Sequence, residues 1–323
     1  MIIKMIPLLV TGACGFIGSN LVNYLYKTKK YKIINIDAMY YCADENNVDK
    51  EVRESENYHF IKCNLNNSEL IKIILNKYQI THVIHLAAQS HVQNSFENSL
   101  QFTTDNVLGT NTLLEECRKY GKIERFVNCS TDEVYGESNL CGDEQVMTEE
   151  SILNPSNPYS ASKAGADLLG QSYYTSFKMP IITSRGNNTY GPNQHVEKLI
   201  PRFIQLLRNN EKVTIQGKGD NVRAFLHVSD TARAFEAMLE RGEVGEIYNI
   251  GCDPHGMEYS VMDVAKMLIR KIKHTEDYDQ WITYIPDRPF NDLRYYLSNS
   301  KIKTLGWDVT IQFEDGIDEL LKL

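Results

Sequence analysis

The sequence predicts an α/β fold: a doubly wound parallel sheet with a smaller, interleaved C-terminal lobe. Apolar runs of strand length alternate with helical segments through the first half of the chain, and these runs are nearly continuous, as in strands buried on both faces. A glycine-rich turn follows the first run. From about residue 186 the alternation loosens into loop segments such as "GPNQ", "QGKGDN" and "GCDPHGM", which indicates a change of architecture.

Each predicted element follows from the same pattern. Strands are predicted at 6–12, 31–37, 81–88, 125–130 and 246–251, and helices at 16–28, 69–78, about 98–120, 157–174 and 229–241. The last helix and the last strand are expected to rejoin the main sheet. We therefore predict a first domain over residues 1–185, to which 226–250 returns, and a second lobe over 186–323.

Composition narrows the classes of function. A formal net charge of −8 over 323 residues argues against a nucleic-acid surface, which needs clustered Lys and Arg. The apolar stretches are shorter than the roughly 20 residues of a membrane-spanning helix, and the first leads directly into a glycine turn that has to be kept. The seven cysteines are scattered without a C-x-x-C pair, which indicates reduced thiols and a cytoplasmic protein. His82, His85 and His91 lack partners at zinc-like spacing, so no metal site is predicted.

The segment "VTGACGFIG" places Gly12, Gly15 and Gly18 between the first strand and the first helix. Glycines let backbone N–H groups approach a pyrophosphate at the positive end of a helix. Asp37 ends the second strand, roughly 20 residues further on, where a carboxylate accepts hydrogen bonds from a ribose and repels a 2′-phosphate. The pattern predicts NAD rather than NADP as the cofactor. A purely structural glycine turn is the alternative.

Two further motifs carry side chains typical of catalysis. In "NPYSASKAGAD", Tyr159 and Lys163 are four residues apart and share one helical face, so the ammonium and a nicotinamide can together stabilise a phenolate. In "VNCSTDEVYG", the neighbouring acids Asp132 and Glu133 follow Thr131 at the end of a predicted strand. A solvated loop is the alternative interpretation of these acids.

Together the motifs resemble the extended short-chain dehydrogenase/reductase superfamily. "STDEVYGE", "NPYSASKAGAD", "RGNNTYGPNQHVEKLIP", "GKGDNVRAFLHVSD", "GEIYNIG" and "DRPFNDLRYYL" are similar to the nucleotide-sugar 4,6-dehydratases over nearly the full chain. They resemble most the dehydratase domain of plant-type UDP-rhamnose synthases, and next the bacterial dTDP-glucose 4,6-dehydratases. The resemblance implies a Rossmann fold for the first domain, a nucleotide-sugar site in the second lobe, and a homodimer paired through the helices near 98–120 and 159–178.

The resemblance also implies a reaction. Tyr159 takes the proton of the sugar 4-hydroxyl, assisted by Thr131, while C4 gives a hydride to NAD. Glu133 then removes the proton at C5, Asp132 protonates the departing 6-hydroxyl, and the hydride returns to C6. Neighbouring carboxyls repel each other's charge, which raises one pKa and helps one of them to stay protonated.

The resemblance assigns the binding residues as well. The cofactor contacts are Gly12, Gly15, Phe16, Ile17, Gly18, Asp37, Asn64, Leu65, Leu86, Ala87, Ala88, Tyr159, Lys163 and Thr189. The substrate contacts are Ser90, Thr131, Asn188, Lys198, Leu199, Arg223, Asp287, Arg288 and Asn291. Asn64 stands where the family usually has an aspartate near the adenine, and its amide can still hydrogen-bond. Arg223 and Arg288 offer the planar, charged donors that a diphosphate prefers, with a surface charge as the alternative for each.

Other functions on this scaffold remain open. The 4-epimerases of the superfamily lack both acids after the strand. The GDP-mannose dehydratases and the UDP-glucuronate decarboxylases resemble T-S-E there and keep the glutamate only. A non-catalytic nucleotide-binding protein would have no need of the catalytic set. The segment "DRPFND" at 287–292 matches the plant-type pattern, whereas the bacterial dTDP enzymes resemble R-P-G-H-D. UDP-glucose is therefore the predicted substrate, with dTDP-glucose next.

Overall fold

The computed structural model describes residues 5–138, 146–252, 257–286 and 292–323. The strands are β1 (Ile6–Thr11), β2 (Tyr31–Asp37), β3 (Tyr58–Lys62), β4 (His82–His85), β5 (Arg125–Thr131), β6 (Ile181–Gly186), β7 (Asn188–Tyr190), β8 (Val213–Gln216), β9 (Val222–His227), β10 (Ile247–Ile250), β11 (Glu258–Ser260) and β12 (Ile282–Ile285). The helices are α1 (Phe16–Thr28), α2 (Lys50–Arg53), α3 (Ser68–Tyr78), α4 (Val92–Glu97), α5 (Ser99–Phe102), α6 (Gly109–Tyr120), α7 (Pro158–Phe177), α8 (Leu199–Arg208), α9 (Val228–Arg241), α10 (Val261–Lys273), α11 (Ser300–Lys303) and α12 (Phe313–Lys322).

Seven strands form one sheet in the order β10-β6-β5-β4-β1-β2-β3. Every pairing within it is parallel. The direction in which successive strands are added to the sheet reverses at β1, since β2 and β3 lie on one side of it and β4 to β6 on the other. This switch point opens a crevice at the carboxyl ends of the strands, where doubly wound sheets bind ligands. The predicted fold class is confirmed.

Both faces of this sheet are covered by helices, which explains why its strands read as continuous apolar runs. Successive strand residues point to opposite faces, so Leu8 packs into the core beneath α1 and α9, whereas Leu9 packs into the core beneath α3, α6 and α7. The strand β10 and the preceding helix α9 join this sheet from late in the chain.

Two predicted elements differ from the structure. The strand predicted at 81–88 ends at His85, because the N–H groups of Leu86 and Ala87 turn to the side-chain oxygen of Thr11. The helix predicted near 98–120 is interrupted by a π-helical turn at Thr103–Leu108. This turn carries Asn106, whose amide pairs with the backbone N–H and C=O of Gln89 beside the crevice.

The second lobe combines small sheets with three helices. A three-stranded sheet has the order β11-β9-β7, and β12 pairs with β8. Their apolar faces share one core with α8, α10 and α12, in which Phe203, Leu268 and Phe313 are buried. No helix in the described part of the chain is long and apolar enough to cross a membrane.

Candidate active site

A cavity of about 550 Å³ runs along the carboxyl ends of the main sheet and under the second lobe. Its walls contain all of the predicted cofactor contacts, namely Gly12, Gly15, Phe16, Ile17, Gly18, Asp37, Asn64, Leu65, Leu86, Ala87, Ala88, Tyr159, Lys163 and Thr189. They also contain the predicted substrate contacts Ser90, Thr131, Asn188, Lys198, Leu199 and Arg223, and the predicted base Glu133. Asp287, Arg288 and Asn291 lie outside the described residues.

The packing of the glycine turn leaves no room for a side chain at Gly12 or Gly18. Gly12 has a φ of +73°, and a Cβ on it would lie 2.8 Å from the Cα of Ala87. A Cβ on Gly18 would lie 2.3 Å from the carbonyl oxygen of Gly12. Gly15 is the N-cap of α1 and supplies no capping side chain. The bare backbone at the positive end of a helix therefore fits the pyrophosphate of NAD.

Asp37 is held at the end of β2 by backbone donors. Its Oδ2 accepts from the N–H of Cys14 at 3.0 Å, and its Oδ1 accepts from the N–H of Met39 at 2.8 Å. Burial raises its pKa, and these two hydrogen bonds oppose the rise. Beyond it, the Asn64 amide donates to the hydroxyl of Tyr40 at 2.9 Å, so an amide does hydrogen-bond on this part of the wall.

Tyr159 and Lys163 lie on the first turns of α7, and both are buried. The helix begins there because Asn157 caps it in a reciprocal pair with Ser160. Lys163 Nζ donates to the carbonyl oxygen of Cys129 at 2.6 Å. Thr131 lies near the hydroxyl of Tyr159, where it acts to lower the pKa of the phenol.

The pKa of Tyr159 runs against the expectation of a stabilised phenolate. Burial raises this pKa well above its usual value, and the nearby charge of Glu133 raises it further. Burial also lowers the pKa of Lys163. The protein groups alone therefore keep the phenol protonated. Lowering its pKa depends on the positive nicotinamide that the expectation included.

The paired acids occupy two different positions. Thr131 is the last residue of β5, and a single 3-10 turn over Asp132–Tyr135 follows it. Asp132 is 2% exposed and does not line the cavity; its Oδ1 accepts from Thr131 Oγ1 at 3.1 Å, and its Oδ2 accepts from Asn187 Nδ2 at 2.8 Å. Glu133 lines the cavity, and its Oε2 accepts from Asn157 Nδ2 at 3.2 Å. Neither acid lies in a solvated loop.

Burial perturbs both carboxyls in the same direction. It raises the pKa of Asp132 to about 6, against which the hydrogen bonds from Asn187 and Thr131 act. It raises the pKa of Glu133 to about 7, to which the charge of Asp132 adds. Two neighbouring carboxyls that titrate near neutral pH are suited to general acid and base catalysis.

Two basic side chains, Lys198 and Arg223, line the part of the cavity formed by the second lobe. Lys198 is the N-cap residue of α8, and its Nζ donates to the carbonyl oxygen of Ser90 at 2.8 Å. Arg223 on β9 donates to the carbonyl oxygen of Asp292 at 2.8 Å and lies over the ring of Tyr295, 5.0 Å from its centroid. Both cations are therefore held at the cavity wall by hydrogen bonds.

Three residues of the site were not predicted: Asn157, Asn187 and Tyr295. Asn157 and Asn187 lie within the motifs "NPYSASKAGAD" and "RGNNTYGPNQHVEKLIP", so the motifs contain the signal. Spacing along the chain does not reveal which amide meets which carboxyl, however, because the partners are 24 and 55 residues apart.

The histidines near β4 do not form a metal centre. His85 is buried between the hydroxyls of Thr11 and Thr110, and burial lowers its pKa to about 3. Over the described ranges, no group of three or more His, Cys, Asp and Glu residues is arranged to hold a metal ion.

Comparison with known proteins identifies the family and supports the fold. The sequence matches the family described as GDP-mannose 4,6 dehydratase over residues 9–320. The chain belongs to this family.

This dehydratase is 45% identical over 351 residues to the dTDP-D-glucose 4,6-dehydratase of Dictyostelium discoideum, a match that covers 97% of this chain and 80% of that protein. It is 43% identical to a trifunctional UDP-glucose 4,6-dehydratase, epimerase and reductase of Arabidopsis thaliana. That match covers 97% of this chain, and the chain spans about half of the plant protein, 46% of its length.

Solved structures agree with the same family. A dTDP-glucose 4,6-dehydratase from Bacillus anthracis in complex with NAD superposes with a TM-score of 0.88 at 37% identity, covering 98% of this chain and 96% of that one. The corresponding enzyme from Streptomyces venezuelae, with NAD and TYD bound, gives a TM-score of 0.91 at 34% identity with the same coverage. These matches confirm the predicted superfamily, the predicted class of enzyme, a nucleotide-sugar 4,6-dehydratase, and NAD as its cofactor.

Proposed function

We propose that this dehydratase converts a nucleoside-diphosphate glucose, UDP-glucose in preference to dTDP-glucose, into the 4-keto-6-deoxy sugar nucleotide. The observation that carries this proposal is that Tyr159, Thr131 and Glu133 line one cavity, with Asp132 hydrogen-bonded to Thr131 behind its wall. Bound NAD would accept a hydride from C4 of the sugar and return it to C6, so it would not be consumed.

The first step is removal of the 4-hydroxyl proton. Tyr159 is the group to accept it, and Thr131 hydrogen-bonds the same sugar oxygen. The glycine turn with Asp37 would hold the cofactor, and Lys163, one turn after Tyr159 on α7, contributes a positive charge at the same wall. The resulting 4-ketone makes the C5 proton acidic, since the carbanion is delocalised as an enolate.

The second step is loss of water across C5 and C6. Glu133 removes the C5 proton, because it borders the cavity and has a pKa near 7. Asp132 supplies the proton for the departing 6-hydroxyl. Because Asp132 is separated from the cavity, its proton passes by way of Thr131, whose hydroxyl can accept one hydrogen bond while it donates another.

The remaining residues bind the sugar nucleotide. Arg223 and Lys198 provide positive charge for the diphosphate, and Ser90, Asn188 and Leu199 line the adjoining wall. The preference for uracil rests on the segment "DRPFND", since identities of 45% and 43% to a dTDP and a UDP enzyme do not separate the two bases. One methyl group is worth only about 1–3 kcal/mol in a pocket, so some activity on both is expected.

Incubation with UDP-glucose and dTDP-glucose in separate reactions tests the proposal. We expect a product lighter by one water, a higher kcat/KM for UDP-glucose and no net formation of NADH. A product of unchanged mass would identify a 4-epimerase, whereas loss of carbon dioxide from a uronic acid substrate would identify a decarboxylase. A higher kcat/KM for dTDP-glucose would reverse the preference, and absence of turnover with either would leave a nucleotide-binding protein.

We also propose a homodimer. Leu100, Leu108, Leu168 and Phe177 are each at least 51% exposed on α5, the π-helical turn and α7, which pack against one another. An exposed apolar face of two adjacent helices favours pairing with a second copy. Light scattering at micromolar concentration should give twice the chain mass. The double variant Leu108→Arg/Leu168→Arg should be monomeric, whereas Ile152→Arg, at an exposed loop position, should remain dimeric.

We further propose a use for the product and a cellular location for the enzyme. The product is a precursor of rhamnose-type deoxysugars, by the resemblance to the plant enzymes. A cytoplasmic location is supported by the six cysteines in the described ranges, which are all free thiols. Fractionation of the source cells, with the dehydratase assay as readout, tests the location.

A further inference from the structure

The side chain of Asn187 has an unusual environment. It follows β6, its backbone N–H donates to the carbonyl oxygen of Ile250 at 2.9 Å, and it is 7% exposed. Its Nδ2 donates to Asp132 Oδ2 at 2.8 Å. An ionised carboxylate only accepts hydrogen bonds, so the amide has to present its nitrogen to Asp132.

In this orientation the oxygen of the amide makes no hydrogen bond to the described residues. Asn187 Oδ1 is buried and has no hydrogen-bond partner within the described part of the chain. It lies against Gly251, where a Cβ would come within 2.4 Å of it. A buried amide oxygen without a partner costs free energy. The contact with Asp132 is therefore the interaction that this buried side chain makes, and the glycine leaves the space for it.

We propose that Asn187 is a positioning residue for the general acid: it holds Asp132 by Oδ2, so that the proton to be delivered is carried on Oδ1, beside Thr131. The amide N–H occupies Oδ2 whether or not Asp132 is ionised. The only other hydrogen-bond partner of the carboxyl among the described side chains is the hydroxyl of Thr131. Thr131 borders the cavity and Asp132 does not, so this arrangement directs the acidic proton toward the substrate.

The arrangement has a consequence for pH dependence. Donation from Asn187 favours the ionised form of Asp132 and lowers its pKa against the effect of burial. A general acid works only while protonated, so activity falls as the pH rises through its pKa. Loss of the donor would therefore move this alkaline limb to higher pH. The other ionisable groups facing Asp132, namely Glu133, Tyr159 and Arg223, are unchanged in the variants below.

The inference rests on the proposed role of Asp132, and one set of variants tests both. Asn187→Ala removes the amide, and Asn187→Leu fills a similar volume without a donor and without a new ionisable group. We expect kcat to fall about tenfold in each, the alkaline limb to move up by about half a pH unit or more, and enzyme-bound NADH to accumulate because oxidation at C4 continues while water loss slows. Asn209→Ala, at an exposed position after α8, should behave as the wild type.

The outcomes separate the two proposals. If Asp132→Asn dehydrates UDP-glucose at the wild-type rate, the proposed role of Asp132 fails. If Asp132→Asn is impaired but the Asn187 variants keep the wild-type rate and pH profile, only the positioning role fails. It also fails if they lose bound-NADH formation, since that defect precedes the step that Asp132 serves. Asn187→Leu, which leaves a smaller cavity, keeps the test valid if Asn187→Ala does not fold.

Discussion

The glycine turn and the paired acids lie at the same edge of one sheet, yet they are built in different ways. The turn over residues 12–18 is a contiguous stretch of the chain in which close packing excludes side chains at Gly12 and Gly18. The acid site joins side chains from 131–133, 157–163 and 187, which come together only because β5, α7 and β6 pack side by side. A contiguous site can be predicted from its spacing, whereas a convergent site can be predicted only in part.

Burial also acts differently in the two regions. At the turn, close packing leaves the start of α1 open to an anionic ligand, and residues 12–18 carry no charged side chain. At the acids, burial acts on charges that the protein carries and raises the pKa of both Asp132 and Glu133 toward neutrality. We therefore expect cofactor binding at the turn to be weakened by added side-chain volume. Catalysis at the acid site should be weakened by loss of hydrogen-bond partners.

Among substitutions in the turn, Gly18→Ala should have the largest effect. Its Cβ would lie 2.3 Å from the Gly12 carbonyl oxygen and 2.6 Å from the Cα of Ala13, so the backbone of the turn has to move. We expect NAD affinity to fall by about 100-fold or more, close to 3 kcal/mol, in titration calorimetry. In Gly15→Ala the nearest atom is 3.3 Å away, and a smaller loss is expected. Wild-type affinity in Gly18→Ala would contradict this account of the turn.

Substitution of Asn157 by serine should have an intermediate effect. Serine is also a good N-cap, so α7 should begin normally, but the amide that donates to Glu133 is lost. We expect kcat to fall about tenfold, with slower exchange of the C5 proton. Asn67→Ser, which makes the same change at the cap of α3, should keep full activity. Equal activity in both variants would mean that Asn157 serves the helix alone.

Features of the site that depend on local sequence could be predicted, whereas features that depend on distant partners could not. The turn, β1, α1 and Asp37 were predicted from sequence, because the glycine spacing and the apolar periodicity are local. The position of Asp132 behind the cavity wall was not, since it depends on Asn187, 55 residues away. The π-helical turn was also missed. It carries Asn106, whose hydrogen-bond partner Gln89 lies 17 residues away in the chain, so no local spacing marks the turn.

The smallest expected effect concerns stability. Burial raises the pKa of Asp132 in the folded protein from 3.8 to about 6, so the folded form favours the protonated acid. The stability contributed by this proton is fully present below about pH 4 and is lost as the pH rises through about 6. Asp132→Asn should therefore melt about 3 °C or more above the wild type at pH 8, with little difference near pH 4.

Thermal unfolding monitored by circular dichroism measures this difference. The matched control is Asp315→Asn, at an exposed position in the first turn of α12, which should shift the melting temperature little at either pH. An Asp132→Asn variant that melts below the wild type at pH 8 would mean that the hydrogen bonds from Asn187 and Thr131 outweigh the burial of the charge.

The most direct test of the central claim is to follow Asp132→Asn, Glu133→Gln and Tyr159→Phe with UDP-glucose in deuterium oxide, recording bound NADH by absorbance and C5 deuteration and water loss by mass. We predict that Asp132→Asn forms bound NADH and loses water about 10²–10⁴-fold more slowly, with deuterium entering C5. Glu133→Gln should form NADH without that exchange, and Tyr159→Phe should form none. Dehydration at the wild-type rate by both acid variants would contradict the account.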